Sequence, residues 1–148
     1  MNKKTLILVF TLLLFILSIT GCEKKAEEPQ YDIYENHDIS ACGVNDPLRN
    51  IEWLKEYCAN IKEKQDIEYV HIYIYKVIDK EEYIFEIDVP SSIDYASNKY
   101  YTDQYFRDCI GDTAFYWWGD LVHADPSSYY KFFEDKEFIS ELFHFVKQ

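Results

Sequence analysis

The sequence predicts an α+β domain: an N-terminal helix, a four-stranded antiparallel sheet made of two hairpins, and a C-terminal helix. Three observations carry that prediction. Leu48, Ile51, Leu54, Cys58 and Ile61 recur at steps of three or four residues, the period of one helix face. The runs 67–78 and 82–89 alternate with period two, as half-buried strands do. Phe138, Ile139, Leu142, Phe145 and Val146 then return to helical spacing.

Taken in order, the first helix runs from Pro47 to about Glu63. Asn45 or Asp46 is placed to cap it, and Pro47 sits at the first position, where a missing N–H costs nothing. Trp53 and Tyr57 flank its apolar stripe. In the first strand Val70, Ile72 and Ile74 face one side, and Tyr69, His71, Tyr73 and Tyr75 the other. In the second, Tyr83, Phe85, Ile87 and Val89 oppose Glu82, Glu86 and Asp88, and Asp79, Lys80 and Glu81 supply the turn between the two. Pro90-Ser91-Ser92 ends this hairpin, and 91–101 reads as a loop. A second hairpin joins 104–109 to 113–118 through Ile110-Gly111-Asp112, a shorter helical turn covers 129–133, and Asp135 caps the terminal helix. Both helices are expected on one face of the sheet.

The first 21 residues stand apart from this domain. Lys3 and Lys4 precede an uncharged stretch, 5–20, that ends at Gly21-Cys22, the layout of a secretory signal. Ile19-Thr20-Gly21-Cys22 resembles a bacterial lipobox. The resemblance implies cleavage before Cys22 and acylation of that cysteine with fatty chains such as palmitate. It places the protein on a membrane of the cell envelope, outside the cytoplasm. Each buried methylene of such a chain contributes about 0.8 kcal/mol, so a multiply acylated Cys22 anchors firmly without a spanning helix. The expected organisation is a signal peptide at 1–21, a lipidated flexible tether at 22–41 and a single globular domain at 42–148. The tether is mostly polar, and Tyr31, Ile33 and Tyr34 are its candidates for docking at the domain edge.

Composition narrows the function classes. Loss of 1–21, which carries two lysines and no acid, takes the net charge from −12 to −14. Such acidity argues against nucleic acid and against an electrostatic grip on anionic lipid. Aromatic residues make up 18% of the chain, including 14 tyrosines, whose half-polar rings suit sheet faces and interfaces. Apart from Cys22 there are three cysteines, so one internal disulfide and one free thiol are expected. Cys58 lies on the helix stripe, where a buried thiol is ordinary, which leaves Cys42 to pair with Cys109.

Cys42-Gly43-Val44-Asn45-Asp46-Pro47-Leu48, followed by Trp53-Leu54-Lys55, looks like the opening of a family of small, uncharacterised bacterial lipoproteins. These begin with a CG-x-x-x-PL-x-x-x-x-WLK pattern after a lipobox and short tether. Asp108-Cys109-Ile110-Gly111-Asp112 is similar to the cysteine–glycine turn in their second half. The resemblance implies location and architecture; the family brings no established activity.

No catalytic spacing emerges. His37 falls in the tether, His144 on the terminal helix, and His71 on a tyrosine-rich strand face that suits a satisfied surface residue. His123-Ala124-Asp125 offers two metal ligands in a triplet common by chance. Glu81-Glu82 and Glu134-Asp135 fall at a turn and a helix start, which favour carboxylates for structural reasons. The chain is therefore expected not to be an enzyme, and no cofactor or metal is expected. Phe115-Tyr116-Trp117-Trp118, with Tyr100, Tyr101 and Tyr105, adds more aromatic surface than one helix can hide. The leading expectation is a protein- or glycan-binding module whose contact surface uses Tyr73, Tyr75, Tyr116 and Trp118. The alternative is an acidic inhibitor or immunity-type protein that blocks a basic envelope hydrolase.

Overall fold

Cross-strand pairing, rather than helix packing, organises the chain. The computed structural model describes residues 29–64, 67–90, 102–119 and 127–148. Its elements are β1 (Tyr31–Glu35), β2 (Ser40–Ala41), β3 (Val44–Asn45), α1 (Pro47–Asn50), α2 (Glu52–Glu63), β4 (Tyr69–Val77), β5 (Tyr83–Pro90), β6 (Thr102–Arg107), β7 (Thr113–Gly119), α3 (Ser127–Phe133) and β8 (Lys136–Lys147). Six strands form one antiparallel sheet in the order β1-β8-β4-β5-β6-β7, and β2 and β3 form a separate two-stranded ladder.

This corrects the expected α+β architecture: among the described residues the protein is mostly β, its large sheet has six strands, and the helices are small. The expected C-terminal helix is the strand β8, seated between β1 and β4. Its apolar spacing misleads for a physical reason. Pairing with β4 shifts register twice, between Ile72 and Tyr73 and between Ile74 and Tyr75, which leaves Leu142 and Ile139 as extra residues on β8. Each such bulge turns a two-residue step into a three-residue one, so same-face residues mimic a helical period. The aromatic and β-branched content of β8 suits a pleated surface.

Residues 31–35, read from sequence as part of the tether, form the edge strand β1 and pair with 143–147 of β8. The predicted first helix is split. Ile51 takes an extended conformation (φ −98°, ψ 111°) between α1 and α2. Asp46 has φ 51° and makes no cap with its side chain, which instead meets His37 (2.9 Å) and Arg49 (3.4 Å).

Two crossovers place one helical layer on each side of the sheet. β1 and β4 run in the same direction, and the chain between them carries α1 and α2 over one face. There Leu54, Cys58 and Ile61 pack on Ile72, Ile74, Phe85, Ile87, Phe143 and Phe145 as the main core. β7 and β8 also run alike, and α3 lies on the opposite face. It covers only part of it: Tyr129, Phe132 and Phe133 pack on Val77, Ile84, Phe106, Phe115 and Trp117. The rest of that face, over β4, β8 and β1, carries the chemistry.

Candidate functional site

His71 and His144 are direct partners across β4 and β8, so antiparallel pairing brings their rings onto the same face, with centroids 5.6 Å apart. Glu141 joins them because of the Leu142 bulge. Leu142 turns into the core, fully buried, and Glu141 reaches the histidine face three residues before His144 rather than two. His71 Nδ1 lies 2.8 Å and His144 Nδ1 3.2 Å from the same atom, Glu141 Oε1. With its proton on Nδ1, each imidazole donates to that oxygen. His144 Nε2 lies 3.6 Å from Asp32 Oδ2 on β1.

Neighbouring rings fix the imidazoles. Tyr34 stacks on His144 at 5.3 Å, and Tyr73 lies parallel to His71 at 5.8 Å and 5°. All three cluster residues are half-buried. Phe138 (55% exposed) and Tyr34 (40%) rim the patch, which leaves it open to solvent.

The adjoining strand, β5, presents carboxylates on this face. Asp88 pairs with His71 and Glu86 with Tyr73. Glu86 is 3% exposed and accepts a hydrogen bond from Tyr75 Oη at 2.6 Å. Burial pushes both carboxyls above the usual range; the Tyr75 bond opposes this at Glu86, and the charge of His71 opposes it at Asp88. Asp88 Oδ1 is buried with no hydrogen-bond partner. Tyr75 stands between the two halves of the face, with Phe133 and Phe138 at 5.0 and 5.6 Å.

The four aromatic residues expected to make one binding surface do not share a face. Tyr73 and Tyr75 lie on the α3 side. Tyr116 pairs with Tyr105, which pairs with Ile87 of the main core, and this register puts Tyr116 on the α2 side. There it packs on Tyr105 at 4.8 Å and donates to Asp103 Oδ1 at 3.1 Å. Trp118, described through its backbone, pairs with Asp103. Alternation within each strand is readable from sequence, but the phase between hairpins depends on register, which linear sequence does not show.

Cys42 and Cys109 form a disulfide with Cα atoms 5.7 Å apart. Cys58 is free and buried, and burial pushes its thiol up to about 12, which suits an inert core residue. The residues that carry the family resemblance converge at this disulfide. Trp53 Nε1 donates to the Cys109 carbonyl at 3.1 Å, and its ring lies edge-on to Phe85. Gly111 has φ 91°, and a Cβ there would stand 2.9 Å from the Trp53 ring. This motif is a structural joint between helix entry and second hairpin. His37 bridges Glu35 and Asp46, and both contacts raise its pKa.

Cys22, the stretch 91–101 expected as a loop, with Tyr100 and Tyr101, and His123-Ala124-Asp125 lie outside the described residues. Among the described residues no helix is long and apolar enough to cross a membrane. Comparison with protein-family models, curated proteins and solved structures gives no match.

Proposed function

We propose that this chain is an envelope lipoprotein, held to a membrane by acyl chains on Cys22, whose domain works by binding a protein or a glycan rather than by catalysis. The observation that carries the reading is the open half of the α3 face, where Tyr34, Tyr73 and Phe138 present rings on paired strands with no helix over them among the described residues. Rings fixed on strands lose little entropy on contact, which suits them to be anchors. Phe138 supplies surface without a hydroxyl, which favours a protein over a sugar. The contact surface therefore centres on Tyr73, while Tyr116 belongs to the other face. Tyr31 follows Cys22 by nine positions, so the tether holds the domain within about 30 Å of its anchor.

A second reading, an acidic inhibitor of a basic envelope hydrolase, draws on the net charge of −14 left after signal cleavage. One experiment separates the two. Envelope partners are captured on the native chain, on Tyr73→Ala/Phe138→Ser, and on Tyr130→Ala as an exposed control on α3. The binding-module reading expects capture that survives moderate salt, is lost in the double variant and is kept by the control. Capture abolished by salt and indifferent to the double variant overturns it in favour of the inhibitor. Anchoring is tested alongside: Cys22→Ser is expected to move the protein from the membrane to the soluble fraction, and full membrane retention counts against lipidation.

A further inference from the structure

The geometry points to a divalent transition-metal site, of zinc type, formed by His71, Glu141 and His144 on the open half of the sheet. The three ligand atoms all lie within 4.8 Å of one another, and both Nδ1 atoms converge on Glu141 Oε1 at 2.8 and 3.2 Å. Two imidazoles and one carboxylate suit borderline metals such as zinc, whose bonds to nitrogen and carboxylate oxygen are about 2.0–2.2 Å. Tetrahedral donors at those lengths stand about 3.4 Å apart. The two Nδ1–Oε1 distances of 2.8 and 3.2 Å stand a few tenths of an ångström short of that spacing, and the Nδ1 protons leave as the ion enters.

The surroundings support a cation. The described residues that flank the three on this face are Asp32, Tyr34, Tyr69, Tyr73, Asp88 and Val146: two acids and no basic residue. Asp88 Oδ1, buried and without a hydrogen-bond partner beside His71, is a carboxylate oxygen that positive charge nearby would stabilise. Asp32, 3.6 Å from His144 Nε2, is placed as the outer partner that orients a metal-bound imidazole. All three ligands stand on paired strands, and the bulge at Leu142 is what puts the third among them. Three protein ligands on an open face leave a further coordination position for water or for a donor from whatever the patch binds.

The test uses the full-length chain without an affinity tag, stripped with chelator and titrated with zinc chloride by calorimetry. One equivalent is expected, with affinity weakened about tenfold or more in His71→Ala and in His144→Ala and unchanged in His37→Ala, which lies in the separate Glu35–Asp46 cluster. Histidine side-chain NMR of the unsubstituted chain supplies a second reading that needs no variant: zinc is expected to shift His71 and His144 and to leave His37 in place. Saturation with zinc that leaves the His71 and His144 signals unmoved, or native affinity retained in both histidine variants, overturns the proposal. So does a chain that takes up no stoichiometric zinc, in which case the cluster is a hydrogen-bond network only.

Discussion

The two faces of the large sheet draw alternate residues from the same strands and put them to opposite uses. On the α2 side, Val70, Ile72 and Ile74 of β4 meet Phe143 and Phe145 of β8 beneath Leu54, all at least 98% buried. One residue along, on the other side, stand His71, His144 and Glu141, half-buried and linked by hydrogen bonds, with the Tyr73 ring parallel to His71. Period-two alternation thus allows a single strand pair to hold the fold together and to display a polar cluster, without one task constraining the other. The α3 side repeats the contrast internally. Over β5, β6 and β7 it is a second apolar core, and over β4, β8 and β1 no helix among the described residues covers it.

The largest expected effect tests whether the half under α3 equals the main core. Phe106 is fully buried and touches the rings of Phe115, Tyr129, Phe132 and Phe133. Phe106→Ala is expected to destabilise by about 3–5 kcal/mol in urea unfolding, the range for a buried phenylalanine. A loss near zero would mean that α3 is a loose cover and the whole face is available for binding.

Next comes the residue on which the contrast between faces turns. Leu142 is the extra residue that the register shift sends into the core, fully buried. Leu142→Ala is expected to cost about 2–5 kcal/mol from lost burial and the cavity left behind. Removing its anchor also loosens the bulge that presents Glu141, so the histidine resonances of His71 and His144 are expected to move while that of His37 does not. A stability loss with both resonances unchanged would show that strand pairing alone holds Glu141 in place.

The first hairpin and the α2 stripe are legible because their periods are unbroken: the alternation of 70–75 and 83–89 appears directly as β4 and β5. The second hairpin is legible from its Ile110-Gly111-Asp112 turn, although a register shift between Phe106 and Arg107 breaks its period. β8 was not legible, because a strand with two bulges borrows the spacing of a helix. The same feature hid the site. Glu141 and His144 are three apart, which belongs to one face of a helix and to opposite faces of a regular strand, so nothing in the sequence joined them to His71, some 70 residues earlier. Asp32 and Tyr34 fall in a mostly polar stretch with no sustained period, which reads as tether; only their pairing with β8 makes it a strand. The family-like motif was visible as a pattern, but its role as the Cys42–Trp53–Gly111 joint needed the fold.

The smallest expected effect lies on the border between the two halves of the α3 face. A carboxyl whose folded pKa exceeds its unfolded value binds more protons folded than unfolded in the interval between them, so stability falls as pH rises through that interval. Glu86 is such a group, raised chiefly by burial and further by the Asp88 charge, with the Tyr75 hydrogen bond working against both. Its cost to the fold is absent below the usual carboxylate range and complete above the raised value. Glu86→Gln keeps an acceptor for Tyr75 Oη and removes the buried charge. It is expected to stabilise the protein by about 1 kcal/mol or less at neutral pH, with the gain vanishing as pH falls below the usual range. Urea unfolding of both chains across that pH range measures it. A variant less stable at neutral pH would mean that the 2.6 Å bond from Tyr75 outweighs desolvation, and that the border of the open patch is held by its charge.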